Sequence, residues 1–290
     1  MNRENTAKGM MASVMFVFGT LAPFVRNINV TSGELALYRA LMAAVLVGGY
    51  LLITKQSIPV LQIKKELVLL LLSGAAIGFN WILLFEAYKY TTVSVATLSY
   101  YFAPVLVMIV CPILYKEKIS VKQIVCFVMS TAGLVLITGT AGGGKQDLLG
   151  IAFGLGAALL YAFAVLINKF IKGVGGIQRT FIQFIAVIVV LAPYVTLTSG
   201  YSIGGLNKIG WSCLLVVGLI HTGVAYCMYF LALKELPGQK VAILSYIDPL
   251  AAVIVSVVWL NEPISVQQII GGLLILGFTL WSELPVGKNK

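Results

Sequence analysis

The stretch "YYFAPVLVMIVCPILYKEKIS", residues 100–120, and the stretch "SYIDPLAAVIVSVVWLNEPIS", residues 245–265, decide the reading of this chain. Each sets a proline three residues after a tyrosine, runs on through apolar residues and ends on a glutamate followed by a serine. Their starts lie 245 − 100 = 145 positions apart. The same offset carries Gly78 to Gly223, Ala87 to Ala232, Lys89 to Lys234, Tyr101 to Tyr246, Pro104 to Pro249, Glu117 to Glu262, Ser120 to Ser265 and Gln123 to Gln268 without a gap. Apolar residues coincide easily by chance, so the polar, proline and glycine matches are what indicate an internal repeat.

Working outward, nearly every segment is apolar. Of 290 residues 60% are hydrophobic and 10% charged, with a mean hydropathy of +1.00, which excludes a water-facing surface and hence a soluble domain. A spanning helix takes roughly 20 apolar residues. Apolar runs between charge and turn clusters predict ten, near 9–26, 34–54, 66–87, 93–115, 121–138, 148–170, 180–198, 209–233, 241–260 and 266–283. The first could imitate a signal peptide, but no A-x-A site closes it and it is expected to remain attached. Only Tyr88 to Thr92 separate the third span from the fourth, which demands a tight hairpin.

The fold class expected is therefore all-α integral membrane, with ten transmembrane helices as two five-helix repeats. Residues 1–140 form the first repeat, 141–147 an outer linker and 148–290 the second. Five is odd, so the second repeat enters the membrane in the opposite sense and the repeats are inverted. Such halves can exchange inward-open and outward-open packings about a site at mid-depth.

The net charge of +10 arises from basic residues scattered singly, so nucleic acid is not an expected partner. Fifteen Lys and Arg fall on the side of both termini and four on the other, with Arg39 inside a span. The positive-inside rule then makes both termini cytoplasmic in a multi-pass protein of the inner membrane. Cys111, Cys126, Cys213 and Cys227 sit in apolar runs without disulfide or metal-ligand spacing. Residues 139–145, "GTAGGGK", imitate a phosphate loop, but Gln146 replaces the Ser or Thr that binds magnesium and no strand precedes it. No cofactor or metal is expected, and transport driven directly by ATP hydrolysis is not supported.

With the two quoted segments and Arg39 in "ALYRALMAA", residues 36–44, the chain resembles the drug/metabolite transporter superfamily, specifically its EamA-type transporters. The likeness covers nearly the whole chain. It implies a central solute cavity lined by helices of both halves, with the fifth and tenth spans at the periphery.

Ionisable residues inside spans are functional candidates by default. Asp248 lies roughly 11 Å from the inner end of the ninth span by helical rise. It reads either as a cavity carboxylate for an ammonium group or a coupling proton, or as a structural acceptor beside the Pro249 break. His221, the single histidine, reads as a proton relay or, more simply, as an interhelical hydrogen-bonding group. Arg39 reads as structural, paired with Glu34 or Glu86, or as the cation for a substrate carboxylate.

Phe16, Asn80, Trp81, Tyr100, Tyr101, Tyr161, Tyr226, Tyr229 and Tyr246 are candidate cavity lining, and for half of them plain packing would serve. Pro104 and Pro249 are matched helix breaks suited to gating. Glu117 and Glu262 are expected to cap or orient the fifth and tenth helices, and Gly74 with Gly78 and Gly150 with Gly154 to admit close helix packing.

The expected function is secondary transport that exports small organic solutes, amino acids or related metabolites, by alternating access. Cationic or aromatic drug-like compounds are the alternative cargo. A membrane-embedded enzyme is the alternative from another class, and a single histidine leaves it without the usual ligand clusters. The partners are then a small solute and the lipid bilayer, and the oligomeric state is open.

Overall fold

A computed structural model describes residues 3–58, 60–115, 120–140, 145–236 and 238–284. Hydrocarbon offers no partner to a peptide group, so a chain this apolar has to satisfy its backbone internally. It does so with helices, and no strand occurs among the described residues. They are α1 (Arg3–Gly19), α2 (Leu21–Arg26), α3 (Ser32–Ile53), α4 (Val60–Tyr90), α5 (Val93–Tyr100), α6 (Ala103–Tyr115) and α7 (Val121–Thr140). Beyond these lie α8 (Lys145–Asn168), α9 (Gly176–Thr198), α10 (Lys208–Leu215), a π-helical stretch (Val216–Val224), α11 (Ala225–Glu235), α12 (Gly238–Ser245), α13 (Ile247–Val258) and α14 (Val266–Glu283).

Among the described residues seven helical segments are long and apolar enough to cross a membrane: Arg3–Arg26, Ser32–Ile53, Val60–Tyr90, Val93–Val110, Lys145–Asn168, Gly176–Thr198 and Lys208–Glu235. Three shorter apolar helices, Val121–Ile137, Ile243–Val258 and Val266–Ser282, fall on the fifth, ninth and tenth expected spans. In full, α7 and α14 run to 20 and 18 residues, roughly 30 and 27 Å, close to the roughly 30 Å of a hydrocarbon core. The third span starts at Val60, earlier than the expected 66, because a helix can carry Lys64 and Lys65 out into the polar interface.

Local chemistry sets the ends and breaks. Ser120 Oγ accepts from Gln123 N at 3.2 Å while Ser120 N donates to Gln123 Oε1 at 2.8 Å, and Ser265 with Gln268 repeats this reciprocal cap at the start of α14. Thr31, Thr92 and Asn207 cap α3, α5 and α10 with side-chain oxygens. Pro104 and Pro249 lack the N–H that would continue a helix. The chain accordingly breaks between α5 and α6 and again between α12 and α13, a few residues before each proline. A third break, at Thr20 ahead of Pro23, divides α1 from α2 and was not anticipated from the sequence.

The main core joins α2, α3, α4, α9 and the π-helical stretch, around Phe85, Phe184, Leu191 and Leu214. Gly74 admits the backbone of α9, since a Cβ there would lie 2.8 Å from Gln183 O. Gly150 and Gly154 do the same for α8 against Thr91 and Ser99. Helices α7 and α14 cross at Gly133 and Gly271, where a Cβ on either would stand 2.5 Å from the other's carbonyl oxygen. Their remaining faces expose Val128, Val135, Val266 and Leu273, as a lipid-facing surface requires.

Candidate functional site

The breaks before Pro104 and Pro249 matter because they free the ends of α5 and α12 to turn polar side chains inward. Two adjoining cavities result. The smaller, of about 150 Å³, is lined by Phe18, Arg39, Trp81, Tyr88, Tyr100, Tyr101, Tyr161, Tyr226 and Asp248 among others. The larger, of about 420 Å³, shares Trp81, Tyr100, Tyr101, Tyr161, Tyr226 and Asp248 and continues past Asn80, Pro104 and Tyr229 to Asn168, Arg179 and Thr180.

Asp248 occupies the first turn of α13, and one oxygen of its carboxylate accepts the Tyr101 hydroxyl at 2.6 Å. Tyr101 comes directly after the last turn of α5, so this bond spans the two proline breaks. Tyr100 packs edge-on against both Tyr101 (5.8 Å between ring centroids) and Tyr161 (5.7 Å), and Tyr226 meets Phe18 and Phe184. The wall is thus a set of aromatic faces with few rotatable bonds, broken by hydroxyls and one carboxylate.

Arg39 is 4% exposed. Neither carboxylate expected for it is its partner. Glu34 accepts from Ser202 N, Ser202 Oγ and Ile203 N at 2.5–2.8 Å, and Glu86 pairs with Lys89 at 2.9 Å. Both lie nearer the helix end, where loop amides and a lysine compete for them. Arg39 Nε instead donates to Thr222 Oγ1 at 2.6 Å, and its guanidinium lies 4.2 Å from the Trp81 ring centroid and 5.8 Å from that of Phe85. Thr222 belongs to the π-helical stretch, and its hydroxyl in turn donates to Val217 O, five residues back, at 2.8 Å. Sequence reading missed Thr222, since nothing in "IHTG", residues 220–223, announces a change of helix type.

The remaining candidates divide. Trp81, Tyr161, Tyr226, Tyr229 and Asn80 lie on the cavities, and Asn80 also donates to Ala157 O at 2.6 Å, holding α4 to α8. His221 is not brought to either cavity. Its ring is 2% exposed, with Nε2 3.1 Å from Thr20 Oγ1, Nδ1 3.3 Å from Val216 O and the Phe24 ring 5.0 Å away. Phe16 is 55% exposed, and Tyr246 precedes α13 without lining either cavity. Pro249 is buried, and Glu117 and residues 141–144 of the glycine-rich segment lie outside the described residues.

Next to Tyr88, which lines the smaller cavity, lies an ionic cluster. Arg26 forms a salt bridge with Glu262 and also donates to Tyr88 O at 3.0 Å and Thr91 O at 3.1 Å. Glu262 accepts from Val93 N at 2.8 Å and from Ser256 Oγ. The Arg26–Glu262 pair therefore ties the ends of α2, α4 and α13 to the start of α5, the guanidinium holding α4 and the carboxylate holding α5 and α13. Among the described residues no group of three or more His, Cys, Asp or Glu is placed to hold a metal ion.

Comparison with known proteins bears on this arrangement. The chain is 29% identical over 276 residues to the uncharacterized transporter YxxF of Bacillus subtilis (strain 168), covering 94% of this chain and 88% of that protein. It is 27% identical to an uncharacterized transporter of Clostridium kluyveri, over 89% of this chain and 86% of that one, and 26% identical to the uncharacterized inner membrane transporter YhbE of Escherichia coli (strain K12), over 73% and 68%. A solved crystal structure shares the fold, with a TM-score of 0.68 and 17% identity over 94% of this chain and 96% of that one. The EamA-like transporter family model matches twice, at residues 7–139 and 148–282. This multi-pass membrane chain, with its apolar helices and aromatic cavities, belongs to the EamA-like transporter family.

Proposed function

We propose that the protein is a secondary transporter exporting small organic solutes, amino acids or related metabolites, by alternating access through the central cavities. Asp248 carries this reading. It is a carboxylate at roughly mid-depth, held by Tyr101 in an aromatic cavity, and it offers an ammonium group both charge and ring faces. Among the described residues Tyr101 is the one side-chain partner of this carboxylate, which suits reversible binding of a cation or a coupling proton better than a purely structural role.

The mechanism rests on two inverted five-helix repeats, residues 1–140 and 148–290 joined by an outer linker at 141–147. Three observations support them: the double match to one family model, the identical Ser–Gln caps 145 positions apart (265 − 120), and the paired breaks before Pro104 and Pro249. In this reading the three shorter helices also cross the membrane, and both termini are cytoplasmic in an inner membrane. The larger cavity then leads toward the cytoplasm beside Arg179, while the Arg26–Glu262 cluster closes the outer end. That is an inward-facing state, and the opposite state arises when the cluster opens and the inner end closes.

The abundance of ring faces favours a second reading, export of cationic or aromatic drug-like compounds. Purified protein in vesicles, screened with a broad metabolite panel by counterflow, tests both. Saturable exchange of zwitterionic metabolites is expected, and Asp248→Asn should lower it by tenfold to about a hundredfold, the worth of one charge-assisted hydrogen bond of about 1.5–3 kcal/mol. Near-normal flux in a folded Asp248→Asn protein would end the binding role of this carboxylate. Exchange of cations alone would select the drug-like cargo.

A further inference from the structure

We infer that Arg39, anchored by Thr222, is an anion subsite of the cavity, so that the transported solute carries a carboxylate as well as an ammonium group. This rests on the transport reading above and narrows its substrate class.

A guanidinium has five N–H donors and no means of neutralising itself at physiological pH, so burial demands acceptors. Arg39 is almost fully buried, yet only Nε has a hydrogen-bonding partner among the described residues, the Thr222 hydroxyl. No carboxylate lies within salt-bridge distance of it among those residues. The two carboxylates expected for it are spent elsewhere, Glu34 on Ser202 and Ile203 and Glu86 on Lys89. The two Nη groups are the fork that recognises a carboxylate with paired bonds, and the residue lines the 150 Å³ cavity.

The surroundings hold that fork in place. Trp81 stacks on the guanidinium, and the hydroxyl of Thr222 is itself turned by its bond to Val217 O, a geometry available because the helix is widened there into π form. Widened turns of this kind concentrate at functional sites. A structural arginine would be expected to close its bonds on backbone carbonyls, as Arg179 does with Asn168, Ile171 and Val174. Arg39 does not.

Asp248 lines the same cavity and is not paired with Arg39. A solute carrying both an ammonium and a carboxylate can therefore neutralise both. An engineered apolar cavity of about 150 Å³ admits benzene, and the aliphatic body of a small amino acid is comparable in bulk. A simple cation would leave Arg39 uncompensated and be repelled by it, which sets the zwitterion against the drug-like amine.

The test uses full-length protein in detergent and in vesicles, with leucine, 3-methylbutylamine (leucine without its carboxylate) and 4-methylpentanoate (leucine without its ammonium) as probes. Binding is read by thermal stabilisation and transport by counterflow. Wild type should prefer leucine to the amine by at least tenfold. Arg39→Gln should lose at least tenfold for leucine and 4-methylpentanoate while the amine is unchanged or improved. Thr222→Val preserves shape and the guanidinium and removes only the anchoring hydroxyl, so it covers the case in which Arg39→Gln does not fold. It should weaken the two carboxylates severalfold and spare the amine, a split that general loss of stability would not produce. Equal leucine affinity in folded wild type and Arg39→Gln overturns the anion subsite and leaves the transport reading standing. A wild-type preference for the amine overturns it in favour of cationic cargo. If none of the three probes binds, the amino-acid reading fails together with this one.

Discussion

On the proposed reading that the Arg26–Glu262 cluster roofs the cavities, Glu262→Gln removes one charge from that roof and nothing else of size. The carboxylate pairs with Arg26, accepts from Val93 N at 2.8 Å and takes the Ser256 hydroxyl. Arg26 has a side chain 31% exposed, so solvent screens its share of the pair, and about 1 kcal/mol is a fair value. The Val93 and Ser256 bonds survive on the amide oxygen but lose charge assistance, worth about 1–2 kcal/mol together. The sum of about 2–3 kcal/mol shifts the balance between closed and open roof by roughly 30- to 150-fold. Leu84, buried and lining the smaller cavity beneath the roof, reports on it. A Leu84→Cys protein in right-side-out vesicles should react slowly with a membrane-impermeant maleimide, and adding Glu262→Gln should raise the rate by roughly that factor. Arg26→Gln combined with Glu262→Gln should give less than the sum of the two single effects, by about the value of the shared pair, because both remove it. An unchanged rate in a folded Glu262→Gln protein would mean that apolar packing, not the ion pair, keeps this end shut. Acceleration only in inverted vesicles would reverse the assigned orientation.

The packing sets two other outcomes. His221→Gln should transport normally at every pH tested, since the imidazole is turned toward Thr20 and Phe24 and away from both cavities; an altered pH profile of counterflow would restore the relay. Gly271→Leu should cost about 1–3 kcal/mol through overpacking, because its Cβ would stand 2.5 Å from Gly133 O at the crossing of α7 and α14. Thermal unfolding in detergent measures this, and an unshifted midpoint would show that the crossing is not tightly packed.

The features legible without coordinates are those governed by neighbours along the chain. Apolar runs must become helices in lipid, a helix must break ahead of Pro104 and Pro249, and the repeat pairs Ser120 and Gln123 with Ser265 and Gln268, although the capping they perform was expected of Glu117 and Glu262. Each depends on a few consecutive residues, so the composition and the 145-residue offset display them (268 − 123). Helix lengths were less legible, because charged residues extend helices such as α4 beyond the apolar run while prolines divide others.

Which polar groups meet was a matter for the tertiary structure. Tyr101 reaches Asp248 across 147 positions, Arg39 reaches Thr222 across 183, and Arg26 finds Glu262 rather than a neighbour on its own helix. Their shared place at the outer ends of their spans suggested Glu34 or Glu86 for Arg39, but the rotation of α3 against a widened turn presents it to Thr222 instead. Helix rotation and crossing are set by the packing of whole faces, such as Gly74 on α9 and Gly133 on Gly271. A local pattern carries the depth of a residue in the membrane, whereas the direction in which its side chain points depends on every helix packed around it.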